Sequence, residues 1–484
     1  MGVLDGLKPE KVFKFFEEIC RIPHGSGNIE AISDYLVDFA GKRRLYCRQD
    51  DLKNVIIVKE ASPGYEAEPA VILQGHMDMV AVKKPDCTKD LQKEGLDLRV
   101  DEDSLYAENT SLGGDDGIAV AYALAILDDD EIEHPKLEVV ITVDEEVGMD
   151  GARGIDLSGL TGRRLLNLDS EEEGIFLTSC AGGARVDTYL SMAVEMQKGT
   201  CWHITVGGLA GGHSGADIHK ERGNSNCLMG RILYRLTAEM PVFIKSLEGG
   251  LADNAIPRET TVELLTAPEQ AEVLRKLLLQ AESEIKAELA VKDPDFQITV
   301  TCNGEAEALC IDAESSVQLA SYLMALPNGV QAMSADIEGL VETSLNLGIM
   351  KYDVAEQELI CFFSVRSSLE SAKKALIEKL CAVTELAGGS YSISGEYPGW
   401  AYRANSPLRE KMVALYEEMY GKKPQLTAIH AGLECGILAG KLDDLDCISF
   451  GPDISNIHTT EERLSISSTE RVWNYLVRLL EKKD

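Results

Sequence analysis

Short motifs along this 484-residue chain place imidazole and carboxylate groups just after apolar runs. GHMDMV holds His76 and Asp78 two residues apart after VILQ; in a strand both side chains leave one face, so that a ligating ring and an orienting carboxylate can sit together. GGDDGIAVA sets Asp115 and Asp116 between paired glycines and a helical run, where a tightly turning backbone can present a carboxylate inward. An ordinary helix cap would use the same residues. DEEVGMDGA puts Asp144, Glu145 and Glu146 at the end of another apolar strand, where neighbouring carboxylates repel unless a cation or a shared proton relieves them. Asp169 closes RLLNLD, and His458 lies in GPDISNIHTTEER beyond the last apolar run.

Zinc takes such nitrogen and oxygen donors, and a catalytic zinc keeps one position open for water. Two metals roughly 3.5–4 Å apart need a bridging carboxylate and about two terminal ligands each. His76, Asp115, Glu146, Asp169 and His458 meet that count and leave Glu145 unligated beside them. The run DDDEIE at 128–133 reads instead as a solvated face.

The elements that must carry these groups alternate. NVIIV, AVILQGHMDMV, LEVVITVDEE and RLLNLD read as strands covered on both faces, with IAVAYALAILDDD as a helix among them. This is α/β patterning, with a mixed, mostly parallel sheet flanked by helices, and ligands bind beyond the carboxyl ends of such strands. After SCAGGAR at 179–185 the texture becomes α+β: strands such as WHITVGG, TTVELL and ELICFFSV, and helices near 219–237, 267–290, 312–326 and 368–387. Beyond Pro398-Gly399-Trp400 the first pattern returns, closing with an amphipathic helix from about 468. The expected organisation is a discontinuous catalytic domain, 1–182 with 398–484, interrupted by a lid domain, 183–397, with hinges near Gly182-Gly183 and Pro398-Gly399.

Composition narrows the partners. With 47 Lys+Arg against 81 Asp+Glu, the net charge of −34 argues against nucleic acid and anionic membrane. Twelve scattered cysteines without a CxxC pair argue against a thiolate zinc module. The first residues offer no uninterrupted apolar core for a secretory signal, and no run reaches the roughly 18 apolar residues of a membrane span, so a reducing cytoplasm is expected.

The series GHMDMV, GGDDG, DEEVGMDGA, NLDSEE and NIHTTEE, in this order, resembles the co-catalytic zinc metallopeptidases that include glutamate carboxypeptidase and peptidase T. GGHSGADIHKERGN, NAIPRE, SVRSS and HAGLECG extend the resemblance over the whole length, toward the aminoacyl-histidine dipeptidase group of that family. The resemblance implies two divalent ions per chain, zinc, or alternatively manganese or cobalt. His76 and Asp169 would hold one, Glu146 and His458 the other, and Asp115 both. It further implies that Asp78 orients His76, that Glu145 is the general base, and that the Asp115-Asp116 peptide is cis. His213 would stabilise the oxyanion, while Asn254, Arg366 and the backbone around Gly432 hold the substrate; His219 and His430 receive no role. The implied activity is hydrolysis of small peptides, namely unblocked dipeptides including Xaa-His dipeptides such as carnosine. An N-acyl amino acid deacylase and a non-catalytic metal-binding scaffold stay open. So does a homodimer in which His213 serves the partner's site.

Overall fold

The apolar runs of the first third become adjacent strands of one sheet. In the computed structural model, which describes residues 2–484, this sheet has eight strands, in the order Tyr46–Gln49, Val55–Lys59, Leu137–Thr142, Val71–His76, Arg164–Asn167, Asp446–Ser449, Ile175–Cys180 and Gln425–Ile429. The sheet is mixed, as expected. The four strands from Leu137–Thr142 to Asp446–Ser449 are parallel, and the pairs around Val55–Lys59 and between Asp446–Ser449 and Ile175–Cys180 are antiparallel. Val71–His76 and Leu137–Thr142 are buried at every position, which strands covered on both faces require. Helix Gly114–Leu127 is also buried throughout, and its all-round apolar IAVAYALAIL suits an interior helix rather than an amphipathic one. The closing helix runs Ile466–Glu481, capped by the Ser465 hydroxyl, which accepts from the Ser468 N–H.

Parallel strands send their carboxyl ends to one edge. His76 pairs with Thr142, and Gln74 with Asn167. The acids at 144–146 and Asp169, a few residues further on, therefore leave the sheet beside His76.

The chain divides into two compact units. The first comprises the residues up to Ser179 with Tyr402–Ala428 and Leu433–Asp484; the second is Cys180–Ala401 with Ile429–Gly432. Residues 429–432, expected in the catalytic domain, cluster with the second unit because the Ala181 N–H donates to the carbonyls of Ile429 and Ala431, at 3.2 and 3.0 Å. The chain crosses after Ser179 and after Ala401, not at 182 and 397. Gly182 and Gly183, expected as a hinge, lie inside strand Gly182–Ser191, where a Cβ on Gly182 would approach the Gly399 nitrogen to 2.4 Å.

The second unit is built on an antiparallel sheet, in the order Gln297–Ile311, Val194–Gly207, Thr260–Thr266, Phe243–Gly249, Val341–Asp353, Glu358–Ser367, Gly182–Ser191 and Ser390–Tyr397. Its helices are Ser225–Glu239, Ala271–Leu289, Ala313–Ala325 and Glu370–Leu386. The first starts later than the pattern suggested. Residues 218–220 make a single 3-10 turn, and Asn224 caps the helix by accepting from the N–H groups of Asn226 and Cys227. Among the described residues no helix is long and apolar enough to cross a membrane.

Candidate active site

At the edge where the first unit's parallel strands end, the five expected metal ligands come together. His76 is 1% exposed, and its Nδ1 bonds the Asp78 carbonyl at 2.9 Å and lies 3.4 Å from Asp78 Oδ1. With that nitrogen committed, Nε2 faces Asp115 Oδ1 at 3.2 Å and Asp169 Oδ1 at 3.6 Å. His458 arrives from the last loop, its Nε2 3.2 Å from Asp115 Oδ2 and 3.0 Å from Glu146 Oε2. One carboxylate, Asp115, thus lies between two imidazoles with one oxygen toward each.

The electrostatics show what this cluster needs. Burial disfavours a charged His76, yet Asp115, Asp169 and Asp78 together raise its pKa well above normal. Asp115 and Glu146 push His458 up to about 10. Asp115 is held far below the carboxylate range, because the two rings outweigh its burial. Burial lifts Asp169 to about 6. Glu146 Oε1 is buried with no hydrogen-bond partner among the described residues. Protons on two rings are the compensation the side chains themselves supply for this much negative charge, and an oxygen still faces no donor. Divalent cations fit such a set of nitrogen and oxygen donors.

Two further acids reach the cluster. Asp116 comes within 4.8 Å of His76 and Asp169 donor atoms, but its Oδ2 accepts the His76 N–H at 3.1 Å and so serves the strand end. The Asp115-Asp116 peptide is cis, as the resemblance implied. Glu145 groups with His76 and Glu146. Burial raises it to about 9 against the pull of His76, with Asp169 and Glu434 adding to the rise. Asp78 is fixed by the Ser26 hydroxyl at 2.8 Å and the Glu145 N–H at 3.1 Å.

Sequence reasoning passed over a second layer beneath these strand ends. Glu434, wholly buried, accepts from Gln74 Nε2 at 2.5 Å and Thr142 Oγ1 at 2.6 Å, and Asn167 Nδ2 donates to Gln74 Oε1 at 2.6 Å. This chain ties together the three strands that lead to His76, Glu145 and Asp169. The only signal for it was a polar residue in each of three otherwise apolar runs.

The second unit gathers the expected substrate residues. His213 pairs with Ala255, and the Ser214 N–H donates to the Asn254 carbonyl at 2.8 Å; the Asn254 side chain is exposed. His213 Nδ1 accepts from the N–H groups of Gly215 and Ala216, at 3.2 and 3.1 Å. A neutral ring so held carries its proton on Nε2, leaving an N–H free to donate. Desolvation and the Arg366 charge lower its pKa and keep it neutral.

Arg366, 8% exposed, stands opposite Ser344 and Gly183 in the sheet and donates to Tyr397 Oη at 3.1 Å. Its Nε has no partner, and among the described residues no carboxylate pairs with it. His430, two residues before Gly432, bonds Ser344 Oγ at 2.7 Å; burial and Arg366 lower its pKa to about 3. Ser214 Oγ is also buried and unpartnered. His219 sits exposed on the 3-10 turn.

Known proteins resemble this chain over its whole length. The sequence model of peptidase family M20/M25/M40 matches residues 72–482. The cytosol non-specific dipeptidase of Escherichia coli (strain K12) is 35% identical over 484 residues, covering 100% of this chain and 99% of that protein. The crystal structure of aminoacylhistidine dipeptidase from Vibrio alginolyticus superposes with a TM-score of 0.93 at 37% identity, over 99% of this chain and 98% of that one. Aminopeptidase PepT from Bacillus cereus, at 15% identity and a TM-score of 0.56 over 98% of each chain, shares the fold.

Proposed function

The chain belongs to peptidase family M20/M25/M40, and we propose that it is a dinuclear metal-dependent dipeptidase acting on unblocked dipeptides, Xaa-His dipeptides included. The observation that carries this reading is the Asp115 carboxylate, with one oxygen 3.2 Å from His76 Nε2 and the other 3.2 Å from His458 Nε2. A carboxylate placed that way suits a bridging ligand, with Asp169 completing the His76 side and Glu146 the His458 side. The donor set, oxygen and nitrogen without thiolate, suits zinc, and also manganese or cobalt. When bound, the two ions supply Lewis-acid chemistry, polarising the scissile carbonyl and making water more acidic. All twelve cysteines are free thiols, which fits a reducing cytoplasm.

The remaining work falls to the side chains. Asp78, fixed by Ser26 and the Glu145 N–H, holds the His76 ring with Nε2 outward. Glu145 takes the proton of the attacking water and passes it to the leaving amine nitrogen. Glu145, whose pKa burial raises, would act as a base near neutrality with cations beside it to offset that burial. His213 donates its Nε2–H to the carbonyl oxygen as negative charge develops there. Arg366, a buried guanidinium lacking a counter-charge, takes the dipeptide's carboxylate, and Asn254 with the backbone around Gly432 holds the substrate's main chain. The test is turnover of a dipeptide panel by metal-reconstituted protein, with N-acylated and carboxamide controls. Rapid cleavage of free dipeptides alone is expected; preference for the acylated compounds would point to a deacylase instead.

A further inference from the structure

Glu462 lies four residues past His458, is 3% exposed, and spends its carboxylate on the backbone just before Asp115. Oε2 accepts the N–H groups of Leu112 and Gly113 at 2.8 and 3.1 Å, and Oε1 those of Gly114 and Asp115 at 2.8 and 3.4 Å. Successive N–H groups that converge in this way form an anion-binding concavity, and here one of the protein's own carboxylates fills it. It does so at the start of a helix, where negative charge is favoured. The paired glycines of GGDDG gain a reason from this contact. Gly113 is left-handed at φ 68°, and a Cβ on Gly114 would press to 3.2 Å from Glu462 Oε1. The loop that carries Glu462 is itself braced, with Thr459 Oγ1 donating to the Asn456 carbonyl at 2.7 Å. The segment bearing Asp115 and the loop bearing His458 are therefore fastened together by a group that touches neither of those two side chains.

We propose that Glu462 is a positioning residue of the metal centre: its carboxylate locks the Asp115 segment to the His458 loop, so that the two side chains face each other in ligating geometry before any ion arrives. The inference rests on the dinuclear reading above. Glu138 provides an internal comparison. It is wholly buried and clamps backbone in the same manner, accepting from the N–H groups of Thr161 and Gly162 at 2.9 and 2.8 Å and from Lys136 Nζ at 2.8 Å. It does so near the start of strand Leu137–Thr142, away from the strand ends that carry the ligands. Glu462→Gln and Glu138→Gln each turn an amide donor toward N–H donors, so both should lower Tm. Only Glu462→Gln should disturb the metals. Metal-stripped full-length wild type and both variants are titrated with cobalt(II), and the visible absorption of the bound ion is followed. Wild type and Glu138→Gln should take up two ions with the same spectrum. Glu462→Gln should bind at least one ion tenfold or more weakly, with an altered spectrum. If Glu462→Gln fails to fold, Glu462→Asp, which keeps the charge but shortens the reach, should show the same weakening. Two ions on wild type and a position-462 variant indistinguishable from Glu138→Gln would overturn the inference alone. Fewer than two ions on wild type would remove the dinuclear reading and the inference with it.

Discussion

In the first unit two histidines are faced by more carboxylate than they can neutralise, and Glu146 keeps a buried oxygen with no donor. In the second unit the imbalance is reversed: the buried Arg366 guanidinium has a tyrosine hydroxyl beside it and an Nε with no acceptor, while His213 and His430 stay neutral. Buried charge is costly unless paired, and the proposed function assigns cations to the first cluster and a substrate carboxylate to the second. A dipeptide brings a carboxylate on one side of its amide bond, and metal ions bring the missing positive charge. The two deficits therefore describe the ligands more sharply than either cluster's residue list does.

The largest effect is expected at Asp115. Asp115→Ala should abolish turnover and lower the occupancy of both ions together; elemental analysis that finds one ion at full occupancy would mean the carboxylate is not shared. The next effect separates two adjacent acids. Glu145→Gln should cost about 10²–10⁴-fold in kcat and leave the metal content intact, the range expected for loss of a proton-transfer group. Glu146→Gln should weaken a metal instead, and equal metal loss in both variants would undo the assignment of base and ligand.

The anion deficit is tested at Arg366. Removing one partner of a buried hydrogen-bonded charge pair costs on the order of 2–5 kcal/mol. Arg366→Ala or Arg366→Lys should therefore lower kcat/KM for free dipeptides by at least about tenfold and leave carboxamide-blocked dipeptides nearly unchanged, since lysine cannot reproduce the two-pronged contact. Wild type that cleaves both substrates equally well would exclude a carboxylate clamp.

The smallest effect concerns His430. Its pKa is depressed to about 3 by burial and by Arg366, so the unfolded chain, with an ordinary histidine near 6.5, binds the extra proton more readily than the folded one. Its contribution is fully present above about pH 6.5 and is lost as pH falls from there toward 3, by up to about 1.4 kcal/mol per pH unit. Thermal denaturation from pH 6.5 to 5.5 should show a steeper fall in Tm for wild type than for His430→Asn. Parallel curves would mean that His430 is already charged in the folded state.

Much of this was readable before any fold was known, for local reasons. Strand and helix periods are short, so the apolar runs ending at His76, the acids at 144–146 and Asp169 announced strand ends. The left-handed turn at Gly113 was signalled by the glycine pair. The same locality explains what was missed. Nothing near residue 180 or 430 shows that residues 429–432 belong with the second unit, because that membership rests on hydrogen bonds between Ala181 and a segment about 250 residues away. The 3-10 turn before Ser225 has the apolar pattern of a helix, because that pattern does not register the Asn224 cap.

The donor types, oxygen and nitrogen without paired thiols, and their place at the ends of strands follow from residue identity and short-range periodicity. Folding alone settles which oxygen of Asp115 faces His458 across 343 residues and that Glu462 closes the backbone concavity before Asp115. Those outcomes depend on packing between segments more than 340 residues apart, which no short-range pattern records.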